Sequence, residues 1–377
     1  MTTLPQLLRK GDWFTSKLPI AWGVYYLGLW ATGAPPTGPV IGTTFLMLLA
    51  FIASGIFVRF YNDLFDMAAD ARGGKFNLAS RVSPFWRILA PVLATAFIIL
   101  ILMILKAPAY LYGLMGLQHL LYILYSTPPV RLKNRGLAGA LTDAAYGHAM
   151  PAVIGWAFAI SLSDEAGGSF LFPAVVLLII TLQLLSGIKN ILFHQVMDFE
   201  KDRAAAARTL VVVVGKKRAV NLGVNWLAPI EFSLLMAFLF YVGLSFQAPL
   251  LIVLSPFILV HILAGYRSYR RRDKEKSQLL LLSNEVYDTW LPIAFLGMLI
   301  ENNSDFWLLL VFHLLVFFEP SSRRLYYYAL GTKPVIGWIQ GKILLFYYHW
   351  LLKQYARLRQ YQVSNKAVNS KEECVES

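Results

Sequence analysis

Asn62-Asp63-Leu64-Phe65-Asp66-Met67-Ala68-Ala69-Asp70 follows directly on one apolar run, and His194-Gln195-Val196-Met197-Asp198-Phe199-Glu200-Lys201-Asp202 follows on another. The two stretches share a spacing. Asn62, Asp66 and Asp70 stand four apart, as do His194, Asp198 and Asp202, and residues four apart lie on one face of a helix, a turn from each other. Each stretch therefore offers a row of oxygen ligands at the border of an apolar segment. In a chain of 377 residues with only 21 acidic ones, two such rows point to hard divalent cations and the diphosphate they carry.

The apolar segments are membrane spans. Hydrophobic residues make up 57% of the chain and charged residues 15%, and the mean hydropathy is +0.56, outside the range of soluble globular proteins. Helical spans of about 20 residues are expected at 18–33, 41–60, 87–105, 109–126, 138–160, 170–192, 219–243, 248–266 and 282–300, with a shorter tenth run at 306–318. The expected fold is an all-α polytopic bundle of about nine transmembrane helices. The first apolar stretch lacks the short core and small-residue cleavage site of a signal peptide, so it reads as an anchor. The single cysteine, Cys374, excludes an intramolecular disulfide and a thiolate metal cluster.

The net charge of +13 is unevenly spread. Bases gather before the first span (Arg9, Lys10, Lys17), between spans four and five (Arg131, Lys133, Arg135), between six and seven (Lys201 to Arg218) and between eight and nine (Arg267 to Lys276). The alternate loops, 161–169 and 301–305, are short and carry acids instead. By the positive-inside rule the N-terminus and both acidic rows face the cytoplasm. Because the bases border spans and form no soluble basic domain, nucleic acid is not an expected partner.

Residues 1–304 read as the bundle and 305–377 as a C-terminal extension, with a further span or an interfacial helix around 335–352 and a disordered tail. The two acidic rows lie four spans apart. That offset hints at a duplicated four-helix unit, which would bring the rows face to face around a central cavity.

An Asn and two Asp residues, with Asp63 beside them, supply the few carboxylates that magnesium takes when it keeps its waters and a substrate's phosphate oxygens. The loop Tyr125-Ser126-Thr127-Pro128-Pro129-Val130-Arg131-Leu132-Lys133 adds two cations just outside a span, behind a stiff Pro-Pro pair, where they can clamp phosphate oxygens or serve only as membrane anchors. Lys189, near the end of span six, faces the pocket or snorkels to the interface.

Together these motifs resemble the UbiA superfamily of intramembrane prenyltransferases. The matching residues are the Asn-Asp-x-x-Asp-x-x-x-Asp run at 62–70, the Tyr-Ser-x-x-Pro-x-Arg-Leu-Lys run at 125–133, and the Asp-x-x-x-Asp pair at 198–202, which continues through Arg208-Thr209-Leu210 to Gly215. The resemblance implies a helical bundle whose cavity opens to lipid and binds a prenyl diphosphate through two Mg²⁺ ions. Asn62, Asp66 and Asp70 would serve one metal and Asp198 and Asp202 the other. Arg131 and Lys133, with Asp63 and Lys189, would line the diphosphate, and Tyr125 would join Asp66 and Asp198 near the leaving group. The chain departs from the family pattern in two loops. Gly73-Gly74-Lys75-Phe76-Asn77 leads to Arg81 where many members carry Asn-x-x-x-Arg-Pro, and Ala206 stands where the second motif usually has glycine.

The resemblance implies prenyl transfer to a lipophilic acceptor, an aromatic compound or quinone precursor, in the lipid bilayer. A terpene cyclase of the same fold, needing no acceptor, is the alternative. A cation-coupled transporter is disfavoured because its carboxylates would sit near the bilayer midplane. In a Cys374→Ser background, a cysteine at Lys217 is expected to react with an impermeant maleimide only from the cytoplasmic side, and one at Asp305 only from the opposite side. Labelling in inverted and right-side-out vesicles checks this, and the reverse pattern would overturn the orientation.

Overall fold

The computed structural model describes residues 17–74, 76–163, 173–245, 255, 258, 259, 262 and 273–317. Helix α1 (Leu18–Thr32) is apolar on all sides and buried from Leu18 through Leu29, as expected of a helix at the centre of a bundle. Around it and along the chain come α2 (Gly38–Gly73), α3 (Pro84–Ile104), α4 (Ala109–Ser126), α5 (Leu137–Ala144), α6 (Met150–Ile160), α7 (Pro173–Met197), α8 (Phe199–Ala204), α9 (Leu210–Val214), α10 (Lys216–Leu222), α11 (Ala228–Ser245), α12 (Leu291–Asn302) and α13 (Trp307–Val316). There is no strand among the described residues. Helices α2, α3, α7 and the joined α10–α11 are each long and apolar enough to cross a membrane. The span expected at 248–266 lies largely outside the described residues, as does the extension beyond 317. Outward-facing Phe85, Ile88, Val92, Leu93, Ile99 and Met103 on α3 are exposed, which suits a helix whose outer side meets lipid.

Small residues let α1 approach its neighbours. A Cβ at Gly155 of α6 would fall 2.2 Å from the Ala21 carbonyl oxygen, and one at Gly28 would fall 2.5 Å from the Ala159 Cβ. Van der Waals contact at this range is what holds helices together where lipid removes the hydrophobic driving force.

Three helices are interrupted in the same way. A π-turn at Ala145–Ala149 joins α5 to α6, another at Gly223–Leu227 joins α10 to α11, and a third at Val286–Trp290 leads into α12. Each ends two residues before a proline: Pro151, Pro229 and Pro292. Proline has no N–H to donate and its ring collides with the carbonyl a turn earlier, so a widened turn at that point relieves both. The expected spans 138–160, 219–243 and 282–300 are thus present as helices with a bulge inside them.

A polar cluster locks the bundle where no water can reach. Lys189 of α7 is 1% exposed, as is Glu231 of α11, and the two form an ion pair. Lys189 Nζ also donates to Ser283 Oγ at 2.6 Å, and Ser283 Oγ donates to Glu231 Oε2 at 2.9 Å. Beside them Asn190 and Asn284 exchange amide hydrogen bonds of 3.1 and 2.7 Å. Helix α13 packs onto the same bundle: His313 Nδ1 lies 3.3 Å from the Tyr26 hydroxyl, and the Phe317 ring sits 5.6 Å from Trp22.

Removing one member of the buried pair leaves an uncompensated charge, at a cost of about 3–5 kcal/mol, whereas replacing both with apolar residues is close to neutral. Lys189→Met should accordingly lower the melting temperature of the detergent-purified protein strongly, and Lys189→Met/Glu231→Leu should recover most of the loss. Thermal unfolding of the three proteins measures both effects.

Candidate active site

Helix α2 runs for 36 residues, about 54 Å at 1.5 Å per residue, well past the expected end of its span at 60. The first acidic row therefore extends the same helix, and Asn62, Asp66 and Asp70 all line one cavity of about 570 Å³. The second row reaches that cavity from α7 and α8. Helix α7 ends at Met197, Asp198 sits at the joint with φ −92° and ψ 6°, and α8 starts at Phe199. Helical hydrogen bonding survives the break, with Asp198 N donating to His194 O at 2.9 Å and Asp202 N to Asp198 O at 2.8 Å. The turn-by-turn spacing is kept, and His194, Asp198 and Asp202 line the cavity together.

The cations arrive on the loop after α4. Arg131 N donates to Thr127 O at 2.7 Å, closing the turn, and Arg131 itself adopts φ 37° and ψ 62°, a left-handed conformation that costs a residue with a Cβ about 1–3 kcal/mol. Its guanidinium donates to Asp66 Oδ1 at 2.8 Å and to Phe65 O at 3.3 Å. Lys133 pairs with the same Asp66 oxygen and reaches Asn62 Oδ1 at 3.4 Å. Burial pushes the Lys133 ammonium below the usual lysine range, and the Asp66 carboxylate offsets part of that. The loop is also tied to the second row. Gly136 N donates to Arg208 O at 3.1 Å, and Gly136 and Thr209 form a parallel bridge. Ala206, at the place where glycine is usual, has φ 54°, the left-handed region that favours glycine.

Two of the nominated residues do not join the cavity. Asp63 lies one position round the helix from Asn62 and is 1% exposed; its Oδ2 takes Arg59 Nε at 3.1 Å and Leu78 N at 2.7 Å. It anchors the chain after α2 to the helix. Lys189 is committed to Glu231 and Ser283 in the bundle interior, so it neither lines the cavity nor snorkels.

Tyr125 does line it, with partners that sequence reading missed. The rings of Tyr122 and Tyr146 meet edge to face at 4.8 Å, and Tyr125 meets Tyr146 at 5.3 Å. Tyr146 donates to Asp143 Oδ1, and both border the cavity. A carboxylate inside an expected span is a signal in its own right, and Asp143 carried that signal.

Asn62, Asp66, Asp70, Asp198 and Asp202 all offer oxygen, which fits Mg²⁺, and His194 adds a nitrogen beside them. Among the described residues no three His, Cys, Asp or Glu side chains form a preformed metal cage. Cations held here would therefore need oxygens from water or from an anionic ligand, as Mg²⁺ commonly does. The cavity lining is close to charge balance, with Asp66, Asp70, Asp143, Asp198 and Asp202 against Lys17, Arg59, Arg72, Arg131 and Lys133.

The sequence model of the UbiA prenyltransferase family matches residues 17–284. No curated protein matches in a sequence comparison. Among solved structures, a UbiA homolog from Archaeoglobus fulgidus bound to DMAPP and Mg²⁺ is similar, with 19% identity and a TM-score of 0.53 over 76% of this chain and 98% of the other. The same homolog bound to GPP and Mg²⁺ gives 20% identity and 0.51 over the same shares. An apo UbiA homolog from Aeropyrum pernix K1 gives 17% and 0.52 over 76% and 97%. At these identities the likeness is one of fold.

Asp63→Ala should act as a stability variant, because it removes the Arg59 ion-pair partner and leaves the Leu78 N–H without its acceptor. A loss of about 1–3 kcal/mol is expected. Chemical or thermal denaturation checks it, and an unchanged midpoint would return Asp63 to the ligand-binding residues.

Proposed function

Because the chain belongs to the UbiA prenyltransferase family, we propose that it transfers a prenyl group from a prenyl diphosphate to a lipophilic acceptor within the membrane and releases pyrophosphate. One observation carries the reading: both acidic rows and the Arg131–Lys133 loop converge on a single cavity whose wall also holds Tyr122, Tyr125 and Tyr146. In this reading Asn62, Asp66 and Asp70 hold one Mg²⁺ and Asp198 and Asp202 another. Mg²⁺ supplies Lewis-acid stabilisation of the charge that builds on departing pyrophosphate. Arg131 and Lys133 leave their shared contact with Asp66 to clamp the diphosphate oxygens. The near balance of charge in the lining supports this exchange, since an anion that arrives with its counter-cations preserves the balance and either alone upsets it.

The three tyrosine rings offer π-faces, whose negative quadrupole stabilises an allylic cation near the reacting carbon. In this reading the isoprenoid lies along the less polar part of the wall, with Val58 and Ile191 beside the tyrosine rings, away from water that would quench that cation. The solved homologs bound to DMAPP or GPP with Mg²⁺ support the substrate class. The charge pattern of the loops supports a cytoplasmic opening for the diphosphate end. Residues 1–304 form the core of this machine in our reading, with 305–377 as an extension of it.

Pyrophosphate release by the detergent-purified protein tests the proposal, with prenyl diphosphates of rising length, aromatic acceptors present or omitted, and Mg²⁺ present or chelated. Release should require Mg²⁺ and an acceptor. Asp66→Ala and Asp198→Ala should each lower it by about 100-fold or more, comparable to deleting an electrostatic stabiliser elsewhere. Release without acceptor, coupled to a cyclic product, would replace transfer with cyclisation, and retained turnover in either variant would overturn both.

A further inference from the structure

The loop after α2, where the chain departs from the family pattern, folds back over the helix that carries the first acidic row. Gly74 closes α2 with φ 63°, and the Phe76 ring lies between the Arg59 and Arg81 guanidinium groups, at 5.5 and 4.8 Å. This brings Asn77, 5% exposed, against the helix. Its Nδ2 donates to Asp70 Oδ2 at 2.8 Å and to Asp63 O at 2.8 Å, while its Oδ1 accepts from Ser80 N at 3.0 Å. Only one orientation of the amide satisfies all three partners, because a carboxylate and a carbonyl need a donor and an N–H needs an acceptor. Ser80 Oγ closes the turn by donating to Asn77 O at 2.8 Å.

We propose that Asn77 is a positioning residue for the cation site: its amide holds Asp70 Oδ2 and so fixes the carboxylate that the first row presents to a metal. The inference rests on the metal-binding reading given above. Asp70 stands at the last full turn of α2, three residues before Gly73, where a side chain on a helix end has rotamers to choose from. Partners that orient ligating carboxylates commonly change metal affinity by about 10–100-fold when removed. Leu78 N on Asp63 Oδ2 and Asn77 Nδ2 on Asp63 O pin the loop two turns earlier on the same face of the helix, which gives the contact with Asp70 a second point of attachment.

The test is Mn²⁺ binding, followed by electron paramagnetic resonance, to the full-length protein in detergent with inorganic pyrophosphate added. Wild type should bind saturably, and Asn77→Ala should weaken binding by about tenfold. In an Asp70→Ala background the same substitution should have no further effect, which separates orientation of Asp70 from general loosening of the loop. Asn77→Asp keeps the shape and the acceptor for Ser80 N but cannot donate to Asp70; it should weaken binding at least as much and serves if Asn77→Ala does not fold. Unchanged affinity in the single variants, or an equal loss in the Asp70→Ala background, would overturn the positioning role while leaving the metal site standing. Absence of saturable Mn²⁺ binding by wild type would overturn both.

Discussion

One oxygen of Asp66 accepts from both Arg131 and Lys133, and the arrangement of the cavity follows from that contact. It joins α2 to the loop after α4, and the same loop is bridged through Gly136 to the segment after α8. Three stretches far apart in the chain are thereby held on one cavity. The groups involved are partly buried, so each charge must find an opposite one, and the left-handed Arg131 backbone is tolerated within that closed set of contacts. In the proposed reading, a ligand that carries both signs enters such a site by exchanging those partners.

The bundle around the cavity is built to the same constraint in apolar form. Close approach at Gly28 and Gly155 depends on the absence of side chains, and the three π-turns before Pro151, Pro229 and Pro292 widen the helix where proline removes a donor and crowds the preceding turn. The first of these turns carries Tyr146 and so shapes the cavity wall directly. Where charge lies deep in the bundle, as at Lys189 and Glu231, it is paired and hydrogen-bonded throughout. Two ionisable residues inside expected spans are used differently. Asp143 borders the cavity, and Lys189 holds helices together.

Periodicity and composition made the membrane bundle and both acidic rows legible, because spans need long apolar runs and a row of ligands needs helical spacing. Those signals are local. That Asp63 and Lys189 lie off the cavity wall was not legible, because their partners, Leu78 N and Glu231, lie 15 and 42 positions away in the sequence, and nothing in the spacing announces them. Tyr122, Tyr146 and Asp143 went unread for a similar reason: ring packing across α4 and the first π-turn has no pattern in a linear chain.

The chain by itself therefore determined the class of solvent it folds in, the helical and apolar character of the segments, and the acidic rows at their ends, since each depends on residues within a turn or two of one another. Tertiary structure decided which acids share a cavity and which become struts. It also decided that the divergent loop lays Asn77 on Asp70. Those outcomes depend on which helices pack side by side, and in a bundle with charged groups out of water that choice is made by all the pairings at once.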